Sequence, residues 1–150
     1  MKKGYHYTEC GLTNVWLANG FTVRKTNYGE GVSIHDADGL HQAIGRALAN
    51  KPRLTGAEIR YLRKEMGMSQ AGLGKLLGVA DQTVALWERN KGRMPKTADR
   101  LLRLIYIEHG DGNVPIVGFI ERINDLDQQQ QEQIIAEEST GGGWRTRLAA

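Results

Sequence analysis

Three groups of residues in this 150-residue chain are of types that could do chemistry. His6, Cys10, His35 and His41 are zinc-ligand types, and a tetrahedral site would need all four to converge, yet no pair has the tight spacing of a structural zinc site. They read instead as exposed or strand-end histidines and a small, half-buried thiol. Asp36 and Asp38 set two carboxylates close together, but capping and dipole preferences place acids at a helix start without any catalytic role. There is neither a glycine loop to cradle phosphate nor a nucleophile elbow. The expectation is therefore no enzyme, no metal and no cofactor.

The third group is basic. Residues 45–103 carry thirteen Lys/Arg against five Asp/Glu, whereas residues 1–44 are balanced at four each and residues 104–150 hold three against eight. The overall charge of +3 thus hides a strongly basic middle and an acidic tail. A basic block inside a well-patterned helical stretch suggests a polyanion partner. Charge alone leaves a solvated surface as an equal reading.

The elements that must position these residues fall into three segments. In the first, Val15-Trp16-Leu17, Asn19-Gly20 and Phe21-Thr22-Val23 read as a hairpin, because Asn-Gly supplies the positive φ angles of a tight turn. Val32 to His35 reads as a third strand. Asp36 then caps a helix with Leu40, Ile44, Ala47 and Leu48 on its apolar face, and Lys51-Pro52 closes the segment. Tyr5, Tyr7, Trp16, Phe21 and Tyr28 either build this small core or form a partner surface.

The second segment, residues 55–109, is helical throughout. Thr55-Gly56-Ala57-Glu58 has capping-box spacing, and Ile59, Leu62 and Met66 form the buried stripe that follows. Ser69 caps a short helix with Leu73, Leu76 and Leu77 inward, and Gly78-Val79 makes a turn. Asp81 caps the next helix, with Val84 and Trp87 on its core side. Pro95 then opens a helix whose core face is Leu101, Leu102, Leu104 and Ile105. Two short helices joined by a tight turn make the second protrude, and a helix about 10–12 Å across fits a major groove about 12 Å wide.

The third segment begins with the loop Asp111-Gly112-Asn113. A helix is expected from Pro115 to about Gln131, with Ile116, Phe119, Ile120, Ile123 and Leu126 on one side. Residues 133–136 and 144–148, flanking Gly141-Gly142-Gly143, read either as a final hairpin or as a frayed tail. No apolar run reaches the 18 residues of a membrane span. The lone Cys10 fits a reducing compartment, and no apolar core follows Met1-Lys2-Lys3. The expected location is the cytoplasm, in association with the nucleoid.

The stretch from Ser69 to Glu88 resembles the lambda-repressor-like, or XRE-type, helix-turn-helix regulators. Ser69-Gln70, Leu73 and Leu77, Gly78-Val79, Gln82-Thr83-Val84 and Trp87-Glu88 before a basic loop carry the likeness, which extends over residues 55–107. Together with the strand and helix readings above it gives an α+β chain. An all-α helix-turn-helix domain (53–110) would follow a three-strand-plus-helix subdomain (1–52) and precede a C-terminal helix and hairpin serving dimerisation (111–150). It also implies roles. Ser69 and Gln70 would meet a phosphate, and Gln70 could reach a base edge. Ala80, Asp81, Gln82, Ala85 and Leu86 would face the groove. Thr83 and Arg89 would lie near phosphates, and Arg89, Lys91, Arg93 and Lys96 would clamp the backbone. Gln82 is the best base reader, since its amide can pair bidentately with adenine, whereas Asp81 reads first as a cap. Leu86 departs from the family habit of a polar or basic side chain there.

A β-rich piece ahead of such a domain is also similar in layout to MqsA-type antitoxins, though the four zinc cysteines of that group are reduced here to Cys10. The resemblances imply double-stranded DNA as partner and a homodimeric repressor on a pseudo-palindromic operator. An antitoxin that also holds a toxin, and a helix-turn-helix interaction module without DNA binding, stay open as alternatives.

Overall fold

The computed structural model describes residues 4–110, 115–126 and 133–149. Among these the elements are β1 (Tyr5–His6), β2 (Trp16–Leu17), β3 (Phe21–Thr26), β4 (Gly29–Ile34), α1 (Ala37–Ala49), α2 (Gly56–Glu65), α3 (Gln70–Leu77), α4 (Asp81–Glu88), α5 (Lys96–Gly110), α6 (Pro115–Leu126), β5 (Gln133–Glu138) and β6 (Trp144–Ala149). They form two compact units, Met1–Val114 and Pro115–Ala150.

The N-terminal strands pair differently from the sequence expectation. Four strands form two antiparallel pairs in place of a three-strand unit. Trp16–Leu17 pairs back with Tyr5–His6, not forward with Phe21–Val23. Phe21–Thr26 pairs with Gly29–Ile34 across the two-residue turn Asn27-Tyr28. A six-pair ladder closed by that turn offers twice the backbone pairing of the three-residue hairpin around Asn19-Gly20. Gly20 is left in the bend between β2 and β3, where the amide of His35 donates to its carbonyl at 2.8 Å.

Asp36 caps α1 as expected, its side chain accepting from the amide of Gly39. Ile44 and Leu48 are buried, whereas Ala47 lies exposed. The α1 helix packs on α2 and α5, so the N-terminal segment shares a core with the helices that follow. Leu62, Leu73, Val84, Leu102 and Ile105 are at zero exposure in that core. Each such side chain contributes about 1.5–3 kcal/mol by leaving water. Leu104, expected on the core face, is instead 45% exposed. Tyr106 takes the place, since the helical period puts Leu102, Ile105 and Tyr106 on one side.

Polar ties lock this junction. Tyr7 Oη and His41 Nε2 lie 2.8 Å apart, and Tyr61 Oη donates to the His41 carbonyl at 3.0 Å. Arg103 on α5 donates to the carbonyls of Leu48, Ala49 and Lys51, covering the orphan acceptors at the end of α1. His6 and His35 are engaged apart from one another, His6 with the Thr13 carbonyl and His35 with Thr22.

Glu58 is the other anchor. The capping box with Thr55 is formed, and the Glu58 side chain, only 1% exposed, also accepts from Lys51 and Asn14. Burial alone would raise its pKa, but hydrogen bonds from Lys51, the Thr55 amide and Asn14, with the Lys51 charge, outweigh it and lower the pKa. A depressed folded-state pKa stabilises above the unfolded value and is lost as pH falls through the folded one. Stability measured by urea melts should therefore decline from just above pH 4.5 downward, and Glu58→Gln should flatten that acid limb. An unchanged limb would place the proton uptake elsewhere.

In the second unit, Ile116, Val117 and Ile120 of α6 are half-buried and Glu121 is exposed. The expected extension of this helix to about Gln131, the loop at 111–113 and the side chains of Phe119, Ile123 and Leu126 lie outside the described residues. The C-terminal hairpin is formed, with Ile134 opposite Leu148 and Glu138 opposite Trp144. Ile134 and Trp144 are 70% and 69% exposed.

Candidate nucleic-acid interface

The α3–α4 pair is held by local chemistry. Ser69 caps α3 by accepting from the amide of Gly72 at 2.9 Å. Gly78 ends it at φ 74°, a left-handed conformation that glycine adopts without steric cost. Gly74 lies against the turn so closely that a Cβ there would stand 2.6 Å from the Val79 carbonyl oxygen. Two short helices thus meet at a fixed angle, with Leu73, Val84 and Trp87 buried beneath them. Trp87 is a core residue, as its spacing from Val84 predicts.

Asp81 does not cap α4. Ala80 holds the N-cap backbone conformation at φ −71° and ψ 156°, and makes no side-chain cap bond. The turn Gly78-Val79-Ala80 uses one residue more than the sequence pattern suggests, so Asp81 falls in the first turn. There its carboxylate accepts from the amide of Gln82 at 2.9 Å and meets the positive end of the helix dipole.

The end of α4 is equally defined. The amide of Asn90 donates to Trp87 and that of Lys91 to Leu86, the two bonds of a Schellman motif, with Asn90 at φ 57°. Asn90 Oδ1 accepts from the Gly56 amide at 2.9 Å, tying the exit of α4 to the start of α2. Beneath it lies a buried ion pair absent from the sequence reading. Arg63 Nε and Nη2 donate to Glu88 at 2.6 and 2.9 Å, and Arg63 Nη1 donates to the Met68 carbonyl. Gln70 Nε2 adds a third donor to Glu88 at 3.1 Å. One N–H of Gln70 is thus committed inside the protein.

The outer face of α4 presents Asp81, Gln82, Leu86 and Arg89, all exposed, with Thr83 and Ala85 partly covered at its sides. Ser69 and Ala80 are exposed at the two helix starts. Basic clefts lie on both flanks. An open groove of about 850 Å³ is lined by Arg53, Lys91, Arg93, Lys96 and Arg100 beside Trp87 and Asn90. A smaller cleft of about 400 Å³ is lined by Arg60, Arg63, Gln70, Ala85, Glu88 and Arg89. Among the described residues, Arg53, Arg60, Arg89, Lys91, Arg93 and Lys96 carry no ion pair. Arg53 and Arg60 join the expected clamp residues here, whereas Arg100 is paired with Asp99 at 2.7 Å; in the sequence only the basic charge of the segment hinted at them.

This arrangement defines the class: a helix-turn-helix DNA-binding domain whose second helix exposes one face and borders two clefts rich in basic side chains. Residues 59–105 match the family model described as Helix-turn-helix, which bears out the XRE-type likeness for a little under a third of the chain. The chain therefore carries an XRE-type helix-turn-helix domain. No curated protein and no solved structure matches it significantly. No helix among the described residues is long and apolar enough to cross a membrane.

Proposed function

We propose that the protein is a homodimeric, sequence-specific transcriptional regulator, most simply a repressor, that lays α4 in the major groove of a pseudo-palindromic operator. It would act on chromosomal DNA in the cytoplasm, and the proposal includes no catalytic step. The observation that carries it is the exposed face of α4, where Gln82 and Leu86 stand clear of the core, together with nearby clefts that hold Arg53, Arg60, Arg89, Lys91, Arg93 and Lys96, cations with no ion pair among the described residues. Gln82 would read adenine, Leu86 would meet a thymine methyl, and Asp81 would accept from a cytosine amino group. Ser69, Gln70 and Thr83 would lie by phosphates, and Arg89, Lys91, Arg93 and Lys96 would clamp the backbone.

Twofold pairing fits this reading, because one helix reads few base pairs. The Pro115–Ala150 unit supports it. A unit below about 40 residues rarely sustains a core alone, and this one leaves Ile134 and Trp144 open.

A footprint on the region upstream of the protein's own reading frame should show two protected half-sites one helical turn apart. Gln82→Ala should weaken specific binding by about 1–3 kcal/mol and relax one operator position. Equal losses on specific and random duplexes would remove Gln82 as the reader.

A further inference from the structure

The β3–β4 arm is the largest described feature of the first unit that the helix-turn-helix leaves unused. Its root is seated: Tyr5 and Phe21 lie with ring centroids 5.7 Å apart, and the His35 amide binds the Gly20 carbonyl. Beyond the root both strands are exposed, and Tyr28 at the tip is fully so. The register separates two faces. Phe21, Val23 and Lys25 share one with Ile34, Val32 and Glu30, while Thr22, Arg24 and Thr26 share the other with Ser33, Gly31 and Gly29.

The second face is free of acid. It holds one guanidinium and no carboxylate, since Glu30, the arm's single acid, lies on the first face opposite Lys25. The Thr22 hydroxyl engages His35 and the Thr26 hydroxyl donates to the Gly29 carbonyl, which leaves Arg24 as the chief polar group this face offers outward. Among the described residues neither Arg24 nor Lys25 has an ion-pair partner.

Gly31 supplies an independent observation. Its φ lies outside the left-handed region, and a Cβ there would meet nothing nearer than the Arg24 carbonyl oxygen at 4.0 Å. Neither backbone conformation nor packing within the chain requires glycine, yet glycine in a strand weakens it. A glycine that the fold does not need, directly opposite an unpaired arginine, suits a surface that another backbone approaches closely.

We propose that the Thr22–Arg24–Thr26 and Gly31–Ser33 face of this arm is a second nucleic-acid contact, made to the sugar–phosphate backbone of the duplex held by α4. A two-stranded ribbon is a known shape for this work, and a lone cation on a face free of carboxylate suits phosphate oxygens better than base edges. The contact adds affinity without sequence preference. The inference rests on the DNA-binding reading above.

The test uses the full chain with two probes, a random-sequence duplex and the upstream duplex, across a salt titration. Arg24→Gln should weaken binding to both alike and make the log–log salt slope shallower by about 0.9 per protomer, about 1.8 for the dimer. Gly31→Val should leave the melting temperature equal to or above wild type, since valine favours a strand, yet lower affinity for both duplexes about tenfold. Glu30→Gln, on the opposite face, should cause no loss. Arg24→Gln and Gly31→Val chains that bind both duplexes like wild type would overturn the proposal and assign the arm to a protein partner. If Lys91→Gln weakens binding while the arm variants do not, this inference fails and the DNA-binding reading stands. If the wild-type chain binds neither duplex, both fail.

Discussion

Replacing Glu88 by alanine is expected to destabilise the first unit by about 3–5 kcal/mol, read as a lower urea midpoint at unchanged m-value. The cause is the charge left behind. Arg63 and Glu88 side chains are 9% and 4% exposed, and their pairing at 2.6 Å is bidentate. Removing the carboxylate leaves a largely buried guanidinium beside Arg60 and Arg89 with only the Met68 carbonyl to accept from it. It also frees the amide of Gln70 that now points inward. Because Glu88 closes α4 and Arg63 sits on α2, the loss should loosen the seat of the proposed reading helix, and DNA affinity should fall with stability. Replacing both partners together, Arg63→Met with Glu88→Leu, should cost far less, since no buried charge is then left alone. Single and double variants of equal stability would show that the pair is not the anchor assigned here.

The second large effect concerns DNA. Converting Arg89, Lys91, Arg93 and Lys96 together to glutamine should weaken binding to all sequences and make the salt slope shallower by about 0.9 per phosphate contact, about 7 over the two protomers of the proposed dimer. All four side chains are exposed, and among the described residues none has an ion-pair partner, so the fold should tolerate the change. A melting temperature close to wild type is the control. Losses confined to one operator sequence would make these residues base readers and contradict a backbone clamp. An unaltered salt slope would move the clamp to the neighbouring Arg53 and Arg60, which line the same clefts and have no ion-pair partner among the described residues.

The parts of this protein that were legible beforehand are those where function and local physics share residues. Thr55 and Ser69 cap helices because hydroxyl oxygens satisfy the first orphan amides, and that chemistry needs only three or four consecutive residues. Gly78 announces its turn by type alone. Leu62, Leu73, Val84 and Trp87 follow the helical period into the core. The twofold repeat likewise marked Phe21 to Val23 and Val32 to Ile34 as strands.

Pairing was not legible in the same way. Whether Trp16–Leu17 joins Phe21 or Tyr5 depends on which ladder grows longer, a comparison between distant segments that no local pattern contains. Arg63 and Glu88 are 25 positions apart and look like two ordinary surface charges until α2 and α4 pack. The helix register placed Asp81 one residue inside α4 because the turn before it had to span the gap to α3.

The helix-turn-helix, the caps at Thr55 and Ser69 and its basic charge were thus determined by the sequence, because each depends on neighbours along the chain. The tertiary structure decided which basic side chains share a cleft, which acid is buried to hold α4, and which face of the β3–β4 arm is free of carboxylate. Those properties depend on distances between elements, which are set only when side chains such as Leu62 and Leu102 leave water together.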